Sequence, residues 1–233
     1  MRFTSSVWRI LLKMLTIHII AIFPETIEPY LNASILKRAQ NKKLVSFNLL
    51  NLRGFANDKH KTVDDKAYGG GPGMVLKVEP IYRAIRQIKK TIRGKSRTIL
   101  FSTRGKVLNQ KKAVSLSKEK HLIFICGRYE GVDERVARHI ADEEISIGNF
   151  VLSGGELPAL IVADAVARHI PGVLGKAESL EEKKGSYPVY TRPPIFNPSG
   201  KGPSWKVPKE LISGNHASIA EWRKRQGKRE KEK

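Results

Sequence analysis

Cysteine occurs once in the 233 residues, at Cys126, which excludes an intrachain disulfide framework and every Cys-based zinc site. It ends the apolar run His121 to Cys126, where a buried, inert thiol fits better than a nucleophile. A cytoplasmic compartment is the default that follows. No apolar run approaches the roughly 18 residues of a membrane span, and the stretch Leu15 to Phe23 is interrupted by His18. Acids are scarce: 22 Asp and Glu face 43 Lys and Arg, leaving a formal charge of +21. Such an excess attracts polyanions, so nucleic acid is the first partner to consider and an anionic membrane surface the second. A surface kept soluble by charge is the plainer alternative. His-Glu-x-x-His, a nucleophile elbow and a dinucleotide fingerprint are all missing, which weakens hydrolase and dehydrogenase readings. No internal repeat is evident.

The first 13 residues carry Arg2, Arg9 and Lys13 without an acid. They read as an extension ahead of a domain that starts at Met14, with organelle import as the alternative. From there short apolar runs alternate with amphipathic segments. Strands are expected at Leu15 to Ile22, Leu44 to Leu49, Arg97 to Phe101, His121 to Cys126 and Glu144 to Ile147. Helices are expected at Thr26 to Ala39, Glu79 to Ile92, Asn109 to Ser117, Val132 to Ile140 and Leu157 to His169. That alternation specifies an α/β fold with a mostly parallel sheet, whose ligands collect beyond the carboxyl ends of the strands.

Two glycine-rich loops fall at such ends. Ile145 to Ala159 joins a short apolar strand, a Gly turn, a second apolar run and a Gly-Gly turn to a helix start. Backbone amides and carbonyls are thereby left beside apolar walls, which suits a flat ligand with polar edges such as adenine. Cys126 to Gly131 ends the preceding strand in a similar way. A third glycine cluster, Gly69 to Gly73 with Pro72, lacks the Lys-Ser/Thr pair of a phosphate loop. It reads either as a backbone approaching a ligand or as a linker, and the flanking Asp64, Asp65 and Tyr68 favour the first.

Arg168 follows Asp164 by four residues on one expected helix. Spacing alone supports equally an ordinary ion pair and a cation aimed at developing negative charge. Past Gly175 the character changes. Residues 176–185 are polar and aperiodic, and Pro188 to Pro208 reads as an extended crossing segment. Leu211 to Gln226 offers one capped helix, with Ser213, Asn215 or Ser218 as start signals. The last eleven residues are too charged to pack.

Several ordered segments resemble one family, the bacterial tRNA (guanine-N1)-methyltransferases of the SPOUT class. They are Ile22-Phe23-Pro24-Glu25, Thr62-Val63-Asp64-Asp65, Tyr68 to Met74, Cys126 to Gly131 with Asp133-Glu134-Arg135-Val136, Ser146 to Ala159, Ile170 to Gly175, Tyr190-Thr191-Arg192-Pro193 and Leu211 to His216. The resemblance implies a SPOUT-type parallel sheet with a deep trefoil knot over 14–175, a linker over 176–187 and a small, mainly helical tRNA-binding domain over 188–233. It implies a homodimer with its active sites at the interface, and transfer of the S-adenosylmethionine (SAM) methyl group to N1 of guanine 37 of tRNA. SAM would lie among Leu100 and Ser102, then Gly127, Tyr129 and Gly131, then Ile147, Gly148, Asn149, Phe150, Val151 and Leu152 with Gly154, Gly155 and Pro158. Arg168 corresponds to the family's catalytic arginine. Whether Mg2+ assists is left open.

Two departures from the pattern stand out. The family's linker, Glu-Ser-x-x-x-Asp-Ser-Phe, matches Glu178 to Ser186, and ungapped counting puts Lys183 at the catalytic Asp. A protonated Lys cannot accept the N1 proton, so Glu182, with Glu181 second, is the expected base. The C-terminal domain is also expected to be shortened and to end in a basic tail, which predicts a steep salt dependence of tRNA binding. These departures keep two other readings open: a SPOUT enzyme for a different RNA site, and an RNA-binding protein with impaired catalysis.

Overall fold

The computed structural model describes residues 14–175, 186–198, 200 and 202–229, with the side chains of 228 and 229 outside the description. They fall into two compact units, divided between Gly175 and Lys176.

The first unit is built on a five-stranded sheet. Its strands are β1 (Leu15–Ala21), β2 (Val45–Asn51), β5 (Ser96–Val107), β6 (His121–Ile125) and β7 (Glu143–Ser146), in the order β2-β1-β6-β5-β7. Every pairing is parallel. Alternation along the central strands explains why both faces must be covered. Ile17, Ile19, Leu122, Phe124 and Phe101 enter one core, against α2 (Ser34–Asn41), α4 (Gln110–Leu116) and α6 (Glu156–Ala167). Ile20, Ile123, Ile125 and Leu100 enter the other, against α3 (Val78–Thr91) and α5 (Glu134–His139). In α3 the buried Ile81, Ala84, Ile85 and Ile88 recur at helical spacing, which is why this basic segment is held as a helix. A short ribbon of β3 (Asp64–Asp65) and β4 (Val75–Leu76) brackets the 69–73 glycine cluster.

Two expectations for this unit need correction. The helix expected at Thr26 to Ala39 is a 3-10 turn (Pro24–Thr26), then α1 (Glu28–Leu31) and α2, broken where Ala33 is extended and Ser34 has φ of 44°. Pro29 stands in the first turn of α1, directly after Glu28, where its missing N–H costs nothing. The strand expected to stop at Phe101 runs on to Val107 through an irregularity, so that Phe101 and Lys106 both face Ile145 of β7. Gly105 permits this: a Cβ there would lie 2.6 Å from the Ile145 backbone nitrogen.

In the second unit the proline-rich segment holds a ribbon, β8 (Ile195–Phe196) with β9 (Trp205–Lys206). The single helix expected after it is two, α7 (Lys209–Ile212) and α8 (His216–Arg229), and the second runs into the charged end. Asn215 supplies the start signal of α8, its Oδ1 accepting from the N–H groups of Ala217 and Ser218. Trp222 of α8, 5% exposed, packs edge-on to Tyr190 at 6.1 Å and anchors this unit. Among the described residues no helix is long and apolar enough to cross a membrane.

Candidate active site

The carboxyl ends of β5, β6 and β7 open together into one cavity of about 520 Å³, within the range of small-molecule sites. Three loops form it: 100–104 after the regular part of β5, 127–132 after β6, and 144–155 spanning the end of β7 to the start of α6. The second and third loops are sewn together. The Gly155 N–H donates to the Gly127 carbonyl at 2.8 Å, and Arg128 bridges to Gly154. Gly155 is required sterically, because a Cβ on it would sit 2.6 Å from Cys126 Cα and 2.9 Å from the Gly127 nitrogen. Tyr129 adopts φ of 59°, an unfavourable backbone state that is held by the packed loop around it.

The sequence-derived site residues divide clearly. Leu100, Ser102, Gly127, Tyr129, Gly131, Ile147, Phe150, Val151, Leu152, Gly154, Gly155 and Pro158 all line the cavity. Gly148 and Asn149 do not. The Gly148 amide and carbonyl turn instead to the Ser146 hydroxyl, at 3.2 and 2.9 Å, and Asn149 is exposed. Arg168 also lies elsewhere. It caps the far end of α6, half-buried, with its N–H donating to the Asp164 carbonyl at 3.2 Å. No side-chain ion pair joins the two among the described residues, so the i,i+4 pair suggested by spacing is not made. Glu181, Glu182 and Lys183 lie outside the described residues.

Charged side chains that sequence reasoning missed also face the cavity. Arg104 Nη2 reaches Glu134 at 2.7 Å and Glu144 at 3.9 Å, while Glu130 lines the same space. The hydrogen bond from Arg104, followed by that from Arg138, holds the Glu134 carboxyl below the usual carboxylate range. Glu144 Oε2 is buried without a hydrogen-bond partner. Arg128 spans three groups: its Nη1 donates to the Ser153 carbonyl at 3.1 Å, its Nε lies 3.8 Å from Glu156, and its guanidinium stands 5.0 Å from the Phe23 ring. Below this layer Cys126 is fully buried, and burial pushes its thiol well above the ordinary range, so it is an inert wall. These contacts of Arg104 and Arg128 join residues 25 to 105 positions apart, and periodicity carries no signal of them.

The cavity suits a flat, polar-edged ligand. The backbone groups of Phe150, Val151 and Leu152 take no hydrogen bond within the described residues. They can serve the edge of a heterocycle between apolar side chains, in a lining that carries Glu130, Glu134 and Glu144 beside Arg104 and Arg128.

Known proteins resemble this chain in sequence and fold. A family model described as tRNA (Guanine-1)-methyltransferase TrmD matches residues 15–233. A tRNA (guanine-N(1)-)-methyltransferase of Bacillus pumilus is 50% identical over 215 residues, 90% of this chain and 86% of the relative. One from Dictyoglomus turgidum is 51% identical over 218 residues, 91% and 85% of the two chains. The crystal structure of the tRNA (m1G37) methyltransferase from Aquifex aeolicus superposes with a TM-score of 0.75 at 45% identity, covering 89% of this chain and 87% of that one. The chain therefore belongs to the tRNA (Guanine-1)-methyltransferase TrmD family.

Proposed function

We propose that this protein transfers the methyl group of SAM to N1 of guanine 37 in tRNA, as a homodimer whose active sites combine residues of both subunits. The observation that carries this reading is the convergence of three loops on one cavity, with unbonded backbone at Phe150 to Leu152 and three carboxylates around it. When bound, SAM supplies an activated methyl group on a sulfonium centre. The loop backbone would hold its adenine edge, and Glu130, Glu134 and Glu144 would favour its positive charge.

Guanine N1 carries a proton at neutral pH and must lose it to become a nucleophile. Glu182, with Glu181 second, takes that proton in this reading. Negative charge then grows on O6, and a guanidinium placed there lowers the barrier. Arg168 is that guanidinium, but α6 has 12 residues, so Arg168 stands roughly 18 Å along the axis from the cavity end of its own helix. The Arg168 that serves a given cavity therefore belongs to the partner subunit. Leu157 and Ile161, one turn apart on α6 and 57% and 46% exposed, supply an apolar stripe suited to the dimer contact.

The fold resemblance supports a trefoil-knotted path in the first unit, and the folding of residues 102–107 over β7 fits it. The charge of +21 supports tRNA as the polyanion. The test is incorporation of label from methyl-labelled SAM into a tRNA transcript with G37 and one with A37. Label in the G37 transcript alone is expected. Label in both would point to another RNA site, and binding of SAM and tRNA without transfer to a protein lacking its base.

A further inference from the structure

The ribbon of the second unit carries an aromatic pair that none of that unit's described residues buries. Phe196 of β8 lies directly opposite Trp205 of β9, so both side chains stand on one face. Their rings are 5.7 Å apart and tilted by 57°. Phe196 is nevertheless 49% exposed and Trp205 65%. The unit has its own apolar anchor at Trp222 and Tyr190, and the Phe196–Trp205 pair takes no part in it. A two-stranded ribbon that leaves its largest side chains in water gains little stability from them.

Charge identifies what would cover them. From Ser186 to Arg229 the sequence has nine Lys and Arg against two acids, Glu210 and Glu221. Arg192, Lys206 and Lys209, all exposed, lie within four residues of the ribbon's paired aromatics in sequence. Exposed rings in a basic field are the recurring arrangement for unpaired bases, because every base has a π-face and its phosphate is drawn by the surrounding cations. An apolar protein partner would gain nothing from that charge.

We propose that Phe196 and Trp205 form a platform on which an unpaired base of the substrate RNA stacks. This rests on the reading of the chain as a tRNA methyltransferase and adds to it a binding contact outside the methyl-transfer cavity. The test measures tRNA affinity of the full-length protein by fluorescence anisotropy, with SAM affinity as the control for folding. Trp205→Leu should weaken tRNA binding by roughly 10-fold and Trp205→Phe by less than about 2-fold, since the second keeps a ring. SAM affinity should be unchanged in both. The salt dependence of Trp205→Leu should keep the wild-type slope, because stacking releases no counterions. Unchanged tRNA affinity in both Trp205→Leu and Phe196→Leu, in a protein that methylates G37, overturns the platform and leaves the enzyme reading intact. A smaller assembly with unchanged tRNA affinity identifies a protein contact and overturns it as well. A wild-type protein that neither binds nor methylates tRNA removes the enzyme reading, and the platform with it.

Discussion

Pro158 and Arg168 stand at opposite ends of the same helix: Pro158 lines the cavity in the first turn of α6, and Arg168 caps the last. Helix geometry fixes their separation, so no side-chain rearrangement within one chain brings the guanidinium to the cavity. Arg168→Ala should leave SAM affinity unchanged and lower the rate of methyl transfer by about 10²- to 10³-fold, the usual cost of removing one group that stabilises an oxyanion. Equilibrium binding of SAM and single-turnover methylation separate the two effects. Equal losses in both would place Arg168 in the cofactor site instead.

Gly155→Ala should act in the opposite way. The added Cβ meets the backbone of Cys126 and Gly127 at 2.6 and 2.9 Å, so the two loops must part. SAM binding should fall more than about 10-fold, and stability should drop by about 1–3 kcal/mol, as for other overpacked sites. Urea denaturation and SAM titration of one preparation check both numbers.

Glu182→Gln keeps size and polarity but cannot take a proton, and it should abolish most single-turnover methylation at neutral pH while tRNA and SAM still bind. Glu181→Gln should have the smaller effect. An undiminished rate in Glu182→Gln would sink the assignment of Glu182.

His18 makes stability depend on pH. It is 5% exposed on β1, with Asn48 Nδ2 donating to its Nδ1 at 3.2 Å and the His121 ring 5.9 Å away. Burial, and then the neighbouring His121, lower its pKa from 6.5 to about 4. The unfolded chain therefore binds the proton first as pH falls. The stability it supports is full above pH 6.5, declines below it and levels off near pH 4. The decline at pH 5 is about 2 kcal/mol at most. Denaturation curves at pH 7.5 and 5 should show this loss in the wild type, and a shallower one in His18→Gln.

The parallel sheet was legible because fully buried strands must be runs of Ile, Leu, Val and Phe, and β1 and β6 are written that way. The cavity loops were legible because close backbone approach demands glycine at a position such as 155, where a Cβ would meet the Cys126 backbone at 2.6 Å. The continuation of β5 was not, since Ser102-Thr103-Arg104-Gly105 is polar and a strand edge folded over a neighbour has no periodic signature. With it went Arg104 and its partners Glu134 and Glu144, which tertiary pairing alone brings together. The ribbon of Phe196 and Trp205 was hidden by the prolines around it, and α6 read as one helix gave no warning that Arg168 stands a helix length from the cavity.

The central claim, a site shared between two subunits, is tested most directly by mixing two inactive variants. Arg168→Ala keeps a sound cavity, and Leu152→Trp fills the cavity but keeps Arg168. After denaturation and joint refolding, half the dimers should pair one of each, and one of their two sites is then complete. Single-turnover methylation of the G37 transcript should recover to about a quarter of the wild-type level. Recovery to nothing above the separate variants, with mixed dimers demonstrably present, would contradict the shared site.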